Sequence, residues 1–200
     1  MFIIINNGGN LTNAYSTPIL INFFKKKKIP LMIINSRDDL PELSKYDKKI
    51  KGIILSGSNL SYTKKLCICK INTNISMLLN YNIPVLGICF GFQTIGIFFG
   101  GKIKKLTKLN KKNEDIFLDT KHPLFKGLDT ISSFKQYHND YLADTPYNFN
   151  VIAMSEKLIQ GITHVSKPIF GVQFHPELSD KNGEKVLNNF INFCKKYKKI

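Results

Sequence analysis

Arginine is almost missing from this 200-residue chain: Arg37 is the only one, so 28 of the 29 basic residues are lysines. Nucleic-acid readers use arginine for bidentate base and phosphate contacts, interleaved with aromatics on one surface, and that pattern is missing here. Acidic residues are also scarce, 14 in all, which leaves a net charge of +15. The lysines fall in short runs, Lys25 to Lys28, Lys104 to Lys112 and Lys195 to Lys199, mostly where helices or loops should end. A lysine there complements the helix dipole and stays solvated. No specific nucleic-acid partner is expected, only the weak polyanion affinity that such a charge confers.

Long apolar runs are lacking too. Segments such as Phe2 to Ile5 and Ile95 to Phe99 fall well short of the ~18 residues a membrane-spanning helix needs, so no membrane partner is expected. No basic leader or cleavage pattern precedes the strand-like segment at Phe2, and the expected location is the cytoplasm. The four cysteines give no disulfide framework in such a chain. Cys67 and Cys69 form a CxC pair without further Cys or His at a spacing that zinc needs; with Cys194, in a terminal amphipathic pattern, they read as packing residues. No metal or cofactor enters the reading. Hydrophobic residues at 43% and charged residues at 22% exclude wholesale disorder and a coiled-coil rod. With no repeat and no Pro/Gly/Ser linker, residues 1–200 are expected to form a single domain.

What is present points to an α/β fold. Apolar strands without polar alternation are expected at Phe2 to Ile5, Pro30 to Asn35, Gly52 to Leu55 and Pro84 to Ile88, separated by helical stretches at Pro18 to Phe24 and from about Lys64 to Tyr81. From Gly100 the segments become shorter and more alternating: Lys102 to Leu106, Ile116 to Leu118, Ser133 to Tyr137, Val151 to Ser155, Ile162 to Val165 and Ile169 to Phe174. A final helix is expected over about Lys181 to Lys198. The fold class that follows is a flavodoxin-like open, mainly parallel sheet with helices on both faces and added antiparallel strands in the C-terminal half.

Cys89 stands apart from the other cysteines. In PVLGICFGFQ it follows a buried strand and precedes a helical run, with Gly87 and Gly91 two positions to either side. A nucleophile on a sharp strand-to-helix turn needs a strained backbone and close neighbours, which small flanking residues permit. It would then stand at the C-terminal edge of a parallel sheet, where α/β folds place ligands. The helix N-terminus favours the thiolate, and the NH of Phe90 is placed to hold an oxyanion. A cysteine between glycines can equally be a small buried residue at a turn.

The segment IFGVQFHPEL shifts that balance. His175 and Glu177 lie two apart at a strand end, with Pro176 keeping the backbone extended at His175. A carboxylate beside an imidazole fixes its tautomer and stabilises the imidazolium, so His175 could deprotonate Cys89 and later protonate a leaving amine.

GICFGFQ and GVQFHPE together resemble the two signatures of class I glutamine amidotransferases, and the likeness runs over essentially the whole chain, including the strand ending IILSG at Gly57. The resemblance implies a Cys-His-Glu triad that hydrolyses the side-chain amide of L-glutamine through a thioester. Cys89 would be the nucleophile, His175 the base and Glu177 its orienting partner, with Gly57 and Gln93 helping to hold the substrate. QYHNDYL, Gln136 to Leu142, is similar to the HxD segment in the glutaminase part of GMP synthetases. His138 and Asp140 match that pair, and the backbone around Asn139 and Asp140 would hold the glutamine's amino and carboxylate groups. The loop after the third strand departs from the family's SGGP: it reads Ser56, Gly57, Ser58, Asn59. If the second oxyanion NH, that of Ser58, requires positive φ, serine is strained where glycine is not.

These 200 residues contain no Gly-rich phosphate-binding loop, so an ATP-dependent synthetase on another polypeptide is the expected partner. Two alternatives stand beside this reading: a γ-glutamyl hydrolase or peptidase on the same fold, and a regulatory remnant with weak turnover, which Ser58, Asn59 and the basicity suggest.

Overall fold

A computed structural model describes residues 1–8, 16–39, 41, 49–64, 78–79 and 82–198. Strand β1, Phe2–Asn6, is buried along its whole length, as expected of an apolar, β-branched run with sheet neighbours on both sides. It pairs in parallel with β2, Leu31–Asn35, and with β3, Gly52–Leu55. β3 pairs in parallel with β4, Val85–Ile88, and β4 with β11, Ile169–Val172. Alternate side chains of a strand face opposite ways, and this divides the interior into two cores. Phe2, Ile4, Ile54 and Leu86 pack with helix α1, Thr17–Lys26, through Leu20 and Phe24, and with the C-terminal helix α3, Asp180–Lys196, through Val186 and Phe190. Ile3, Ile5, Ile53 and Val85 pack on the other face with Phe92 and Ile95 of α2, Phe90–Phe98.

Beyond β11 the sheet continues antiparallel through β10, Ile159–His164, β9, Phe149–Met154, β6, Asn113–Leu118, and β7, Ile131–Lys135. Among the described residues this gives nine strands in the order β2-β1-β3-β4-β11-β10-β9-β6-β7, with β5, Ile103–Asn110, and β8, His138–Leu142, forming a separate two-stranded ribbon. The expected parallel sheet, helices on both faces and antiparallel additions are all found.

Three details differ from the sequence reading. The last strand stops at Val172, and Gln173 and Phe174 bend towards a 3-10 turn at Pro176–Leu178. HNDYL forms β8, a strand of its own that follows the one expected at Ser133 to Tyr137 and found at Ile131–Lys135. Lys64 is an exposed bend rather than a helix start. The remainder of the helix expected to Tyr81, with Cys67 and Cys69, lies outside the described residues, apart from Leu78 and Leu79, which are helical and buried. Cys194 is buried in the core of α3, and burial pushes its thiol pKa well up, as suits a packing residue.

Candidate active site

β3, β4 and β11 are adjacent and parallel, so their C-terminal ends open onto one edge of the sheet. Gly57 and Ser58 follow the first, Cys89 the second and His175 the third. Cys89 is the N-cap of α2 at φ 50°, ψ −103°, a conformation that L residues rarely adopt. Its NH is anchored on the Val172 carbonyl at 2.9 Å. The flanking glycines make the turn sterically possible. A Cβ on Gly87 would sit 2.6 Å from the Gly91 carbonyl oxygen, and one on Gly91 would run into the carbonyl oxygen of Leu55. The NH of Phe90 opens α2, where intrahelical acceptors are absent.

His175 is held by its backbone: its NH donates to the Lys135 carbonyl at 2.9 Å, and Ser179 Oγ donates to its carbonyl at 2.6 Å. Before Pro176 it is extended, at φ −101°, ψ 91°. Its Nδ1 lies 2.7 Å from Glu177 Oε1, but Glu177 reaches it from the 3-10 turn, not along an extended strand as the spacing suggested. A turn brings residues two apart back over each other, so the contact survives the change of conformation. Burial alone would lower the imidazole pKa; the Glu177 carboxylate and the Cys89 sulfur more than offset this and raise it well above the ordinary histidine value. Nε2 is buried without a partner at hydrogen-bond distance, although the sulfur is near enough to act on the ring's protonation. In this state the thiol donates instead to the Tyr137 carbonyl at 3.8 Å.

A cavity of about 180 Å³ opens beside the sulfur, with Ser58, Cys89, Gln93, Lys105, His138 and Asn139 among its walls. Gly57 faces His175 so closely that a Cβ would stand 2.9 Å from the ring's Cε1. Gln93 Nε2 donates to the Asp140 carbonyl at 2.8 Å. Asn139 is exposed at the cavity wall. Asp140 also lines the cavity, yet its carboxylate oxygens are taken: Ser61 Oγ donates at 2.6 Å and Thr63 Oγ1 at 2.7 Å. Next to these, Tyr62 stacks on Phe90 at 4.8 Å and its hydroxyl donates to Thr94 Oγ1 at 2.7 Å. Residues 61–63 are thereby tied on one side to β8 and on the other to the elbow helix.

His138 is a buried part of the cavity wall. Burial, with the charge of His175 adding to it, lowers its pKa to about 4 against the hydrogen bond to Asp140. The ring is therefore neutral at pH 7. Its Nδ1 lies 2.9 Å from the Asp140 carbonyl oxygen, which can only accept, so Nδ1 carries the proton.

The strain anticipated at Ser58 is absent. Among the described non-glycine residues positive φ occurs at Lys28, Cys89, Asn148 and Asp180. Ser58 instead closes the loop with its own hydroxyl, donating to the Asn7 carbonyl at 2.8 Å and accepting from the Leu60 NH at 3.0 Å. The sequence reading missed Lys64 and Lys105, which bring positive charge to the cavity, and Gln173, whose Nε2 lies 3.7 Å from the Cys89 sulfur. Nothing local separates those lysines from the rest. Gln173, two residues before His175, was within reach of the same alternation argument.

An open sheet whose parallel strands end at a cysteine elbow places the chain in the class of α/β proteins that carry their site where strands end. Within that class it belongs to the class I glutamine amidotransferase family, whose family model matches residues 10–193. A glutamine-hydrolyzing GMP synthase subunit from Methanococcus aeolicus is 34% identical over 196 residues, spanning 97% of each chain. Its Methanocaldococcus jannaschii namesake is 30% identical over the same share. A solved Thermoplasma acidophilum protein, assigned as the same GMP synthase subunit, superposes with a TM-score of 0.81 at 26% identity, covering 98% of this chain and 94% of its own. A Thermotoga maritima glutamine amidotransferase shares the fold, with a TM-score of 0.72 at 18% identity over 98% of this chain and 84% of its own. Among the described residues no helix is long and apolar enough to cross a membrane.

Proposed function

We propose that the chain is the glutaminase component of a two-part amidotransferase. Residues 1–200 act as one domain, in the cytoplasm, that hydrolyses the side-chain amide of L-glutamine at Cys89 and passes ammonia to a separate ATP-dependent synthetase of the GMP synthase kind. The observation that carries this reading is the junction at His175. One ring nitrogen is bound to Glu177 at 2.7 Å, the other is buried and unpartnered, and the adjacent cysteine stands on a strained elbow beside a cavity.

The chemistry follows from those positions. Glu177 fixes the His175 proton on Nδ1, which leaves Nε2 as the base. Nε2 takes the thiol proton, and the sulfur adds to the amide carbon of glutamine. The charge that develops on the carbonyl oxygen meets the NH groups of Phe90 and Ser58. Nε2 then delivers its proton to the amide nitrogen, the C–N bond breaks and ammonia leaves a thioester. Water gives a proton to Nε2 as its oxygen attacks the thioester, which returns the thiol and frees glutamate. Lys64 and Lys105 at the cavity suit the substrate's α-carboxylate, and Gln93 with the backbone at Asn139 and Asp140 lines its path.

The reading is tested by ammonia release from L-glutamine, measured for the full chain alone and with the ATP-dependent synthetase that co-purifies with it. Ammonia that rises when the synthetase is added is expected. Cleavage of a γ-glutamyl conjugate with no ammonia from glutamine in either condition would overturn it.

A further inference from the structure

Gln173 is a buried polar side chain that the mechanism above does not use. It follows β11, is fully enclosed, and is two residues from His175 on the side of the sheet edge that meets the elbow. An apolar side chain would fill such a position at lower cost. Its side chain touches two polar groups: Gln93 Nε2 donates to its Oε1 at 3.2 Å, and its Nε2 faces the Cys89 sulfur at 3.7 Å.

The direction of that last contact is fixed by a chain of partners. The Asp140 carbonyl oxygen can only accept, so the end of Gln93 that meets it at 2.8 Å is the nitrogen. The same nitrogen meets Gln173, so the end of Gln173 facing Gln93 is the oxygen. The end turned to the sulfur is therefore the NH₂ group, and Gln173 offers the sulfur a donor.

We propose that Gln173 is a catalytic residue of this site, its amide NH holding the Cys89 thiolate from within the core while Gln93 and the Asp140 carbonyl hold the amide. The thiol state has little need of it, since the S–H group points to the Tyr137 carbonyl. Once the proton has passed to His175, that carbonyl oxygen opposes the negative sulfur and an N–H donor offsets it. The donor therefore stabilises the charged nucleophile more than its neutral precursor, and a difference of that kind raises the rate. The same chain links the strand end at Asn139 and Asp140, where glutamine enters, to the reacting sulfur. The inference rests on the reading of Cys89 as nucleophile, but its test needs no glutamine.

The test is alkylation of Cys89 by iodoacetamide in the full chain, located by peptide mass spectrometry across pH 5 to 9, roughly the range in which cysteine and histidine titrate. Among the described residues the charged or titratable groups around the sulfur are His175 and Glu177 after β11, Tyr137 before β8, His138 on β8, and Lys64, Lys105 and Asp140 at the cavity; all are left in place. Gln173→Met, which keeps the shape and removes the donor, should slow alkylation at neutral pH by about tenfold, the low end of what a hydrogen bond to a charged group supports. Its rate profile should also move to higher pH. Gln173→Glu, which sets an acceptor against the sulfur, should slow it further. Gln93→Leu, which frees the amide to turn, should fall between Gln173→Met and the unmodified protein. A Gln173→Met or Gln173→Glu protein that unfolds in urea at the unmodified midpoint and alkylates with unmodified rate and pH profile would overturn the proposal. If Gln173→Met does not fold, Gln173→Asn, too short to reach the sulfur, is read in the same way.

Discussion

Cys89 carries backbone strain that can be measured separately from its chemistry. At φ 50°, ψ −103° its Cβ occupies a region that costs an L residue about 1–3 kcal/mol. Replacing it by alanine removes the sulfur and keeps the Cβ. Replacing it by glycine removes both, so comparing the two variants isolates the Cβ. In ordinary helix or strand positions alanine to glycine costs about 0.5–1 kcal/mol, because glycine has more freedom to lose on folding. Set against the strain, the balance at this elbow is a net gain of about 1 kcal/mol: Cys89→Gly should be more stable than Cys89→Ala, with both inactive. Urea denaturation reads this directly, as a higher midpoint at an unchanged slope. A glycine variant less stable than the alanine variant by the ordinary amount would show that the elbow is unstrained and that the reasoning about its geometry fails.

Two further outcomes follow from particular contacts. Ser58→Gly should bring no gain in single-turnover hydrolysis, because Ser58 has no positive φ to relieve; instead it should cost about 1 kcal/mol of stability through the lost hydroxyl bonds to Asn7 and Leu60. Faster thioester formation in that variant would mean that the loop is held wrongly by serine. His138 is depressed from 6.5 to about 4, so as pH falls through 6.5 the unfolded chain gains a proton that the folded one refuses. Stability is lost over that window, by at most about 3 kcal/mol at its acid end. Denaturation midpoints of His138→Gln should fall less steeply between pH 6.5 and 4 than those of the unmodified protein, and parallel curves would refute the assignment.

Much of this architecture could be read from the chain because its determinants are local. The uninterrupted apolar runs at β1, β3 and β4 lie buried between two layers of helices, and Gly87 and Gly91 mark the elbow because backbone meets backbone there. The pairing of His175 with Glu177 was legible from spacing, although a 3-10 turn delivers it. What escaped depends on distant partners. β8 leaves the main sheet for a separate ribbon by pairing with β5, Asp140 opposite Lys105. The backbone at Ser58 is tied by its hydroxyl to Asn7, 51 residues away. Lys64 and Lys105 are two of 28 lysines, and only the folded chain shows which of them reach the cavity.

The central claim is that Cys89 is the nucleophile and that the cavity beside it admits glutamine. The most direct measurement is labelling of the full chain with a glutamine-derived diazo-ketone, followed by peptide mass spectrometry with and without competing L-glutamine. The account predicts one modification, on Cys89, suppressed by glutamine and absent from Cys89→Ala, with Cys67, Cys69 and Cys194 spared. Label on another cysteine, or labelling that persists unchanged in the Cys89→Ala protein, would contradict it.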